Sequence, residues 1–142
     1  MTGVQTCALP IYYSAALEAF RSRNTDIVAL SPMTGERMDA LAEKLKLGFP
    51  LLSDPGNAYA RSLDLVFAVE PAVRDVYRTK GLDLSEYNGD ESWELPVTAV
   101  FVCDEDRKVL YAWTESDYTR RPVLRSCWRS STGGTDVSRT AA

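Results

Sequence analysis

The run Val97–Cys103, VTAVFVC, constrains this chain more than any other stretch. It is continuously apolar, rich in β-branched and aromatic side chains, and too short for a helix of ordinary length, so it reads as a buried strand. The chain approaches it through a turn signal, Asn88-Gly89-Asp90, and then through Trp93 and Pro96. It leaves through an acidic turn, Asp104-Glu105-Asp106-Arg107, into a second apolar run, Val109–Trp113. Two such runs across a short charged connection predict an antiparallel hairpin. A strand apolar on both faces needs cover on both, so the remaining chain is expected to supply helices.

The 142 residues predict one domain, large enough to bury a core. The apolar share of 45% and charged share of 25% are those of a globular chain rather than a disordered one. With a net charge of −4 there is no basic patch to hold nucleic acid. No apolar run approaches a membrane span. The first residues lack the basic segment of a secretory signal, which points to a cytoplasmic protein. There is no histidine, so Ser-His-Asp and Cys-His sites are excluded. Cys7, Cys103 and Cys127 lie far apart, and no CxxC is present. A local dithiol motif or zinc ribbon is therefore not encoded. No metal and no cofactor is predicted. An odd cysteine count without a pairing pattern fits a reducing compartment.

Residues 1–11, MTGVQTCALPI, carry no charge and no clear period, and they look like translated sequencing adapter. They are set apart from the fold as an artefactual segment, the rival reading being a short strand ending at Pro10. Tyr12–Arg23 has helical spacing at Tyr13, Ala16, Leu17 and Phe20, with Ser14 as N-cap. Thr25–Leu30 reads as a strand. Thr34–Lys46 reads as an amphipathic helix capped by Thr34 and stopped at Gly48. A short apolar segment, Phe49–Leu52, leads into the turn Asp54-Pro55-Gly56. Asn57–Leu65 reads as a short helix with Ala58, Leu63 and Leu65 inward, and Glu70-Pro71 opens another helix that ends at Gly81. Leu82–Asn88 reads as loop. Alternation of helix and strand predicts an α/β fold with part of its sheet parallel.

Four stretches taken together resemble one family. They are IVALSP (Ile27–Pro32), FPLLSDPGNAYAR (Phe49–Arg61), NGDESWELPVTAVFV (Asn88–Val102) and DYTRR (Asp117–Arg121). On these the chain from Tyr12 to Pro122 resembles the peroxiredoxin-like branch of the AhpC/TSA family. The resemblance implies a thioredoxin-like fold, a mixed sheet with flanking helices and a C-terminal antiparallel hairpin, here incomplete at the N-terminus. It implies thiol-dependent peroxide reduction, with a hydroperoxide substrate and a thioredoxin-like thiol reductant. Family members carry a cysteine, often in W-C-P-Y-C, just before the first helix. A helix N-terminus presents unpaired N–H groups and a positive dipole end. These favour thiolate. The thiolate attacks the peroxide and becomes a sulfenic acid, which a second thiol resolves.

Carried over by position, that motif is absent. Pro10 stands where the first cysteine belongs and Tyr13 where the second belongs. Cys7 lies about three residues too early and is a weak candidate. The expectation is a chain inactive as a peroxidase. The alternatives are a thioredoxin-fold module that only binds partners, a thioredoxin-like disulfide oxidoreductase, or a plain α/β binding domain. A missing central strand before Tyr12 implies open strand edges and low thermal stability.

Several other residues invite function and read better as scaffold. Cys103 reads as a small buried hydrophobe and Cys127 as incidental. The family's cis-proline position falls at Thr98, where a trans bond is expected, and Pro96 reads as an edge-of-strand residue. The carboxylates Asp90, Glu91, Glu94, Asp104, Glu105 and Asp106 read as solvated turns, and Arg120-Arg121 as surface. Residues 12–122 are thus expected to form the domain. Residues 123–142, rich in Ser, Thr, Gly and Arg, are expected to be a frameshifted or disordered tail. The sequence leaves the oligomeric state open.

Overall fold

The computed structural model describes residues 8–117, 120, 122, 123 and 127. They fall into two compact units divided between Pro96 and Val97. Most of the expected tail, and Met1–Cys7 of the expected artefact, lie outside the described residues.

The first unit opens with helices α1 (Ala8–Ala15) and α2 (Leu17–Arg21), broken at Ala16. The helix thus begins before Tyr12, and Ser14 lies in the last turn of α1 instead of capping it. Pro10 is compatible with this because the first turn of a helix has no use for its N–H. A strand ending at Pro10 is not seen, since Ala8–Pro10 are helical. Strand β1 (Ala29–Ser31) and strand β2 (Leu51–Ser53) pair in parallel, with Leu30 opposite Leu52. The parallel pair requires a crossover, and helix α3 (Gly35–Leu45) supplies it. Its apolar face buries Met38, and the chain leaves it through Lys46 in the left-handed region. The helix therefore ends three residues before the expected stop at Gly48. Gly48 has a different task. A Cβ there would stand 2.5 Å from a Leu17 methyl, so a larger residue would require the Leu17 side chain to shift.

A single 3-10 turn, Pro55–Asn57, leads into helix α4 (Ala58–Ser62). The expected inward face is corrected here: Ala58 and Leu63 are exposed, and the buried residues are the polar Asp54 and Asn57. The helix is too short to bury an apolar stripe and is anchored by polar contacts. Strand β3 (Val66–Ala68) follows, then helix α5 (Pro71–Thr79) with proline in its first turn as expected. Leu84–Asn88, read as loop, is a helical turn, α6. Asp83 caps it by accepting from the Ser85 N–H at 3.0 Å. Gly89 ends it in the left-handed region (φ 72°). Strand β4 (Glu94–Pro96) pairs antiparallel with β3, Val66 opposite Pro96.

The core of this part is Val69, Leu84 and Trp93, flanked by Tyr77, Leu82 and Leu95. Trp93 sits in the left-handed region (φ 54°), and its carbonyl accepts from the Val69 N–H at 2.8 Å. The guanidinium groups of Arg74 and Arg78 lie 5.8 and 4.7 Å from its ring centroid. Their stems cover apolar surface while their heads reach water.

The second unit contains the expected hairpin, β5 (Thr98–Cys103) and β6 (Val109–Glu115). Asp104 closes the turn, its Oδ1 accepting from the Lys108 N–H at 2.8 Å, with Arg107 left-handed (φ 65°). Phe101 remains 41% exposed, and Cys103 and Val109 share its outward face. Among the described residues the six strands form three two-stranded pairs. The fold is mixed α/β with a parallel crossover unit and a closing antiparallel hairpin.

Candidate functional site

Chemistry is expected around α1, because a helix N-terminus is where a thiolate is stabilised. Cys7, the weak candidate, lies outside the described residues. Pro10 lies in the first turn of α1 and removes one backbone N–H from the end that would hold an anion. Tyr13 lies one turn further along. Its ring meets Tyr12 edge-on at 5.4 Å between centroids and Phe20 at 6.1 Å. That geometry is aromatic packing, with Phe20 buried beneath. A phenol oxygen cannot take up the peroxide oxygen as a sulfur does, so Tyr13 offers no route to a sulfenic acid.

The two described cysteines are free thiols in contrasting surroundings. Cys103 ends β5 and is exposed, not buried as expected, because strand alternation places it on the open face with Phe101. Cys127 is only 2% exposed, and burial pushes its thiol pKa up, away from the thiolate.

The peptide bonds among the described residues are all trans, those before Pro96 and Thr98 included. Pro96 closes β4, and Thr98 opens β5 opposite Glu115.

Of the carboxylates read as solvated turns, Asp90 has one oxygen buried without a hydrogen-bond partner and Glu94 is half-buried. Asp104 holds the hairpin turn, and Glu105 and Asp106 are exposed in it. Arg120 donates to Glu115 at 3.1 Å. Asp90 accepts from the N–H and hydroxyl of Ser92, and Glu91 is exposed. Glu94 differs: its carboxylate is paired with the Arg61 guanidinium, and that contact raises the Arg61 pKa further above its ordinary value.

Around this pair the structure assembles residues that the sequence reading passed over. Asn57 is fully buried, left-handed (φ 55°), and donates through Nδ2 to the Glu94 carbonyl at 3.2 Å. Asp54 reaches past the 3-10 turn to the first turn of α4. Its Oδ1 accepts from the Tyr59 N–H at 2.8 Å and its Oδ2 from the Ala60 N–H at 3.0 Å. The knot joins two of the four stretches that carry the family resemblance, through SDPGNAYAR and SWELP. Its signal in the sequence was Asp54 placed four residues before α4, a side chain able to cap that helix across an intervening turn. The knot is structural. Its charged groups are paired or capping.

A family model described as "AhpC/TSA family" matches residues 7–112, which include Cys7, Pro10, Tyr13 and the whole polar knot. No curated protein matches the chain.

Proposed function

Because the chain belongs to the AhpC/TSA family, we propose that it carries the thioredoxin-fold scaffold of a thiol-dependent peroxidase without the reacting thiol. In the family reaction a thiolate sulfur attacks the nearer oxygen of a hydroperoxide. The O–O bond breaks, an alcohol or water leaves, and the sulfur becomes a sulfenic acid. A second thiol displaces water from that sulfur to form a disulfide, and a thioredoxin-like dithiol returns both sulfurs to the reduced state. Every step requires sulfur at the head of the first helix.

One observation carries the reading. Tyr13, where the resemblance puts the family's second cysteine as it puts the first at Pro10, packs its ring against Tyr12 and Phe20. Neither Cys103 nor Cys127 compensates. Cys103 sits at the end of a hairpin strand beside an acidic turn, and Cys127 is buried with its thiol pKa raised. In this reading residues 12–122 are the scaffold domain.

The test is hydrogen peroxide consumption by the purified chain with dithiothreitol or thioredoxin as reductant. The expected result is a rate no greater than that of an equal concentration of a small-molecule thiol. Fast, saturable turnover that disappears in Cys7→Ser would overturn the proposal.

A further inference from the structure

The turn at Asn88-Gly89 carries a chemistry of its own. Where glycine follows asparagine, the next backbone nitrogen can attack the side-chain amide carbon, because glycine has no Cβ to hinder the approach. The Gly89 nitrogen loses its proton to water and bonds to the Asn88 Cγ. The C–N bond of the side-chain amide breaks, and its nitrogen takes a proton back and leaves as ammonia. The succinimide ring that results adds water at either carbonyl and opens to aspartate or isoaspartate. Water is the only co-reactant.

The fold obstructs each part of this reaction. Asn88 is the last residue of α6, and the Cα–Cβ bond of a helical residue tilts toward the helix N-terminus, away from the following nitrogen. The Gly89 N–H is already engaged, donating to the Ser85 carbonyl at 2.9 Å. Asn88 is 8% exposed, so water has little access to it. These obstructions last only as long as α6 does. The helix has five residues, too few to hold in water alone, and it depends on the Asp83 cap. Elements of this kind open at the low end of a protein's range of local stabilities.

We propose that Asn88-Gly89 is a modification site that the fold keeps shut, that opening of α6 releases it, and that its reaction prevents α6 from closing again. The last step follows from what α6 holds. The Tyr87 carbonyl accepts from the N–H of Thr34, the residue that starts α3, at 3.0 Å. Gly89 is so close to Thr34 that a Cβ there would stand 3.1 Å from the threonine methyl, which leaves little room for a displaced backbone. Gly89 also ends the helix in the left-handed region. Isoaspartate inserts an extra carbon into the main chain just before that residue. Aspartate sets a negative charge at the helix C-terminus, where the dipole disfavours it. Either product loosens the tie between α6 and α3. The pair is a one-way latch that marks chains that have opened, and it is independent of any peroxide chemistry.

The experiment incubates the full chain at neutral pH, folded and in urea sufficient to unfold it. The peptide carrying residue 88 is followed by its mass and its chromatographic position. The folded chain should react slower by about ten-fold or more. In urea Asn88 should react ahead of Asn24, whose following residue, Thr25, is β-branched. Asp83→Ala removes the cap of α6 and should raise the folded-state rate several-fold while circular dichroism stays close to that of the wild type. Chains modified in urea and then refolded should unfold at a lower urea midpoint than unmodified chains. The proposal fails if folded and unfolded chains react at the same rate, or if Asp83→Ala reacts as slowly as the wild type. It fails equally if Asn24 reacts as fast as Asn88 in urea, or if modified chains refold to the unmodified midpoint. Should Asp83→Ala not fold, the wild-type rate must rise at urea concentrations below the global transition for the latch to stand.

Discussion

Replacing Asp54 with alanine tests the polar knot that ties two of the four family stretches together. The carboxylate accepts two backbone N–H bonds, from Tyr59 at 2.8 Å and Ala60 at 3.0 Å, and its side chain is almost fully buried. A hydrogen bond to a charged group contributes roughly 1.5–3 kcal/mol, and removing a helix cap typically costs about 1 kcal/mol. Two factors lower the sum. Tyr59 is 58% exposed, so water can reach its freed N–H, and alanine no longer requires a carboxylate to be desolvated. Helix α4 has five residues and cannot hold itself in water, so the loss should pass through Asn57 to β4. The net expectation is about 2 kcal/mol, a large part of the 5–15 kcal/mol that holds a typical domain. With a urea slope of about 2 kcal/mol/M, the midpoint followed by far-ultraviolet circular dichroism should fall by about 1 M. Asp54→Asn keeps the shape and one acceptor oxygen, and should lose roughly half as much. A shift under about 0.2 M for Asp54→Ala would show that the buried carboxylate is not what fastens α4.

The thiols and one exposed cap give further outcomes. Maleimide should label Cys103 in the native chain within minutes and Cys127 only slowly, because Cys127 is buried with a raised thiol pKa. Denaturant should erase the difference, and equal native rates would contradict the placement of Cys127. The bonds from Ser85 hold the Asp83 carboxyl below its ordinary pKa. A depressed folded-state value means this contribution is present above the unfolded pKa near 4 and is lost as pH falls through the lower folded value. Asp83→Asn should therefore flatten the pH dependence of stability below about pH 4 and leave its slope at neutral pH unchanged; an unchanged acid slope would remove Asp83 from that role.

How much was legible in the sequence depended on how each element is specified. Helix α3 was readable because Met38, Leu41 and Leu45 recur at helical steps within the element itself. The hairpin β5–β6 was readable because two β-rich runs flank one short charged turn. Pro71 marked the start of α5 through its own backbone chemistry. Strand β3 was missed because Val66–Ala68 becomes a strand only through pairing with Glu94–Pro96, nearly thirty residues on. Helix α6 was missed although Asp83 and Glu86 stand three residues apart, the spacing of a reciprocal cap. Apolar content misled at β5, where it predicted burial and the structure leaves Phe101 and Cys103 open. It misled again at α4, where the buried groups are Asp54 and Asn57, whose polarity argues against burial until their partners are known. Pro10 and Tyr13 drew notice only through the family resemblance, and the structure adds that Tyr13 packs on Phe20.

The most direct test of the central claim is to trap the reaction's first product. The reduced chain is treated with hydrogen peroxide in the presence of dimedone, which tags sulfenic acids, and each cysteine peptide is weighed by mass spectrometry. If the scaffold lacks its reacting thiol, Cys7, Cys103 and Cys127 are tagged no faster than cysteine in an unfolded peptide. Rapid tagging at any one of them at substoichiometric peroxide, above all at Cys7, would show that the chain keeps a peroxidatic thiol and would contradict the account.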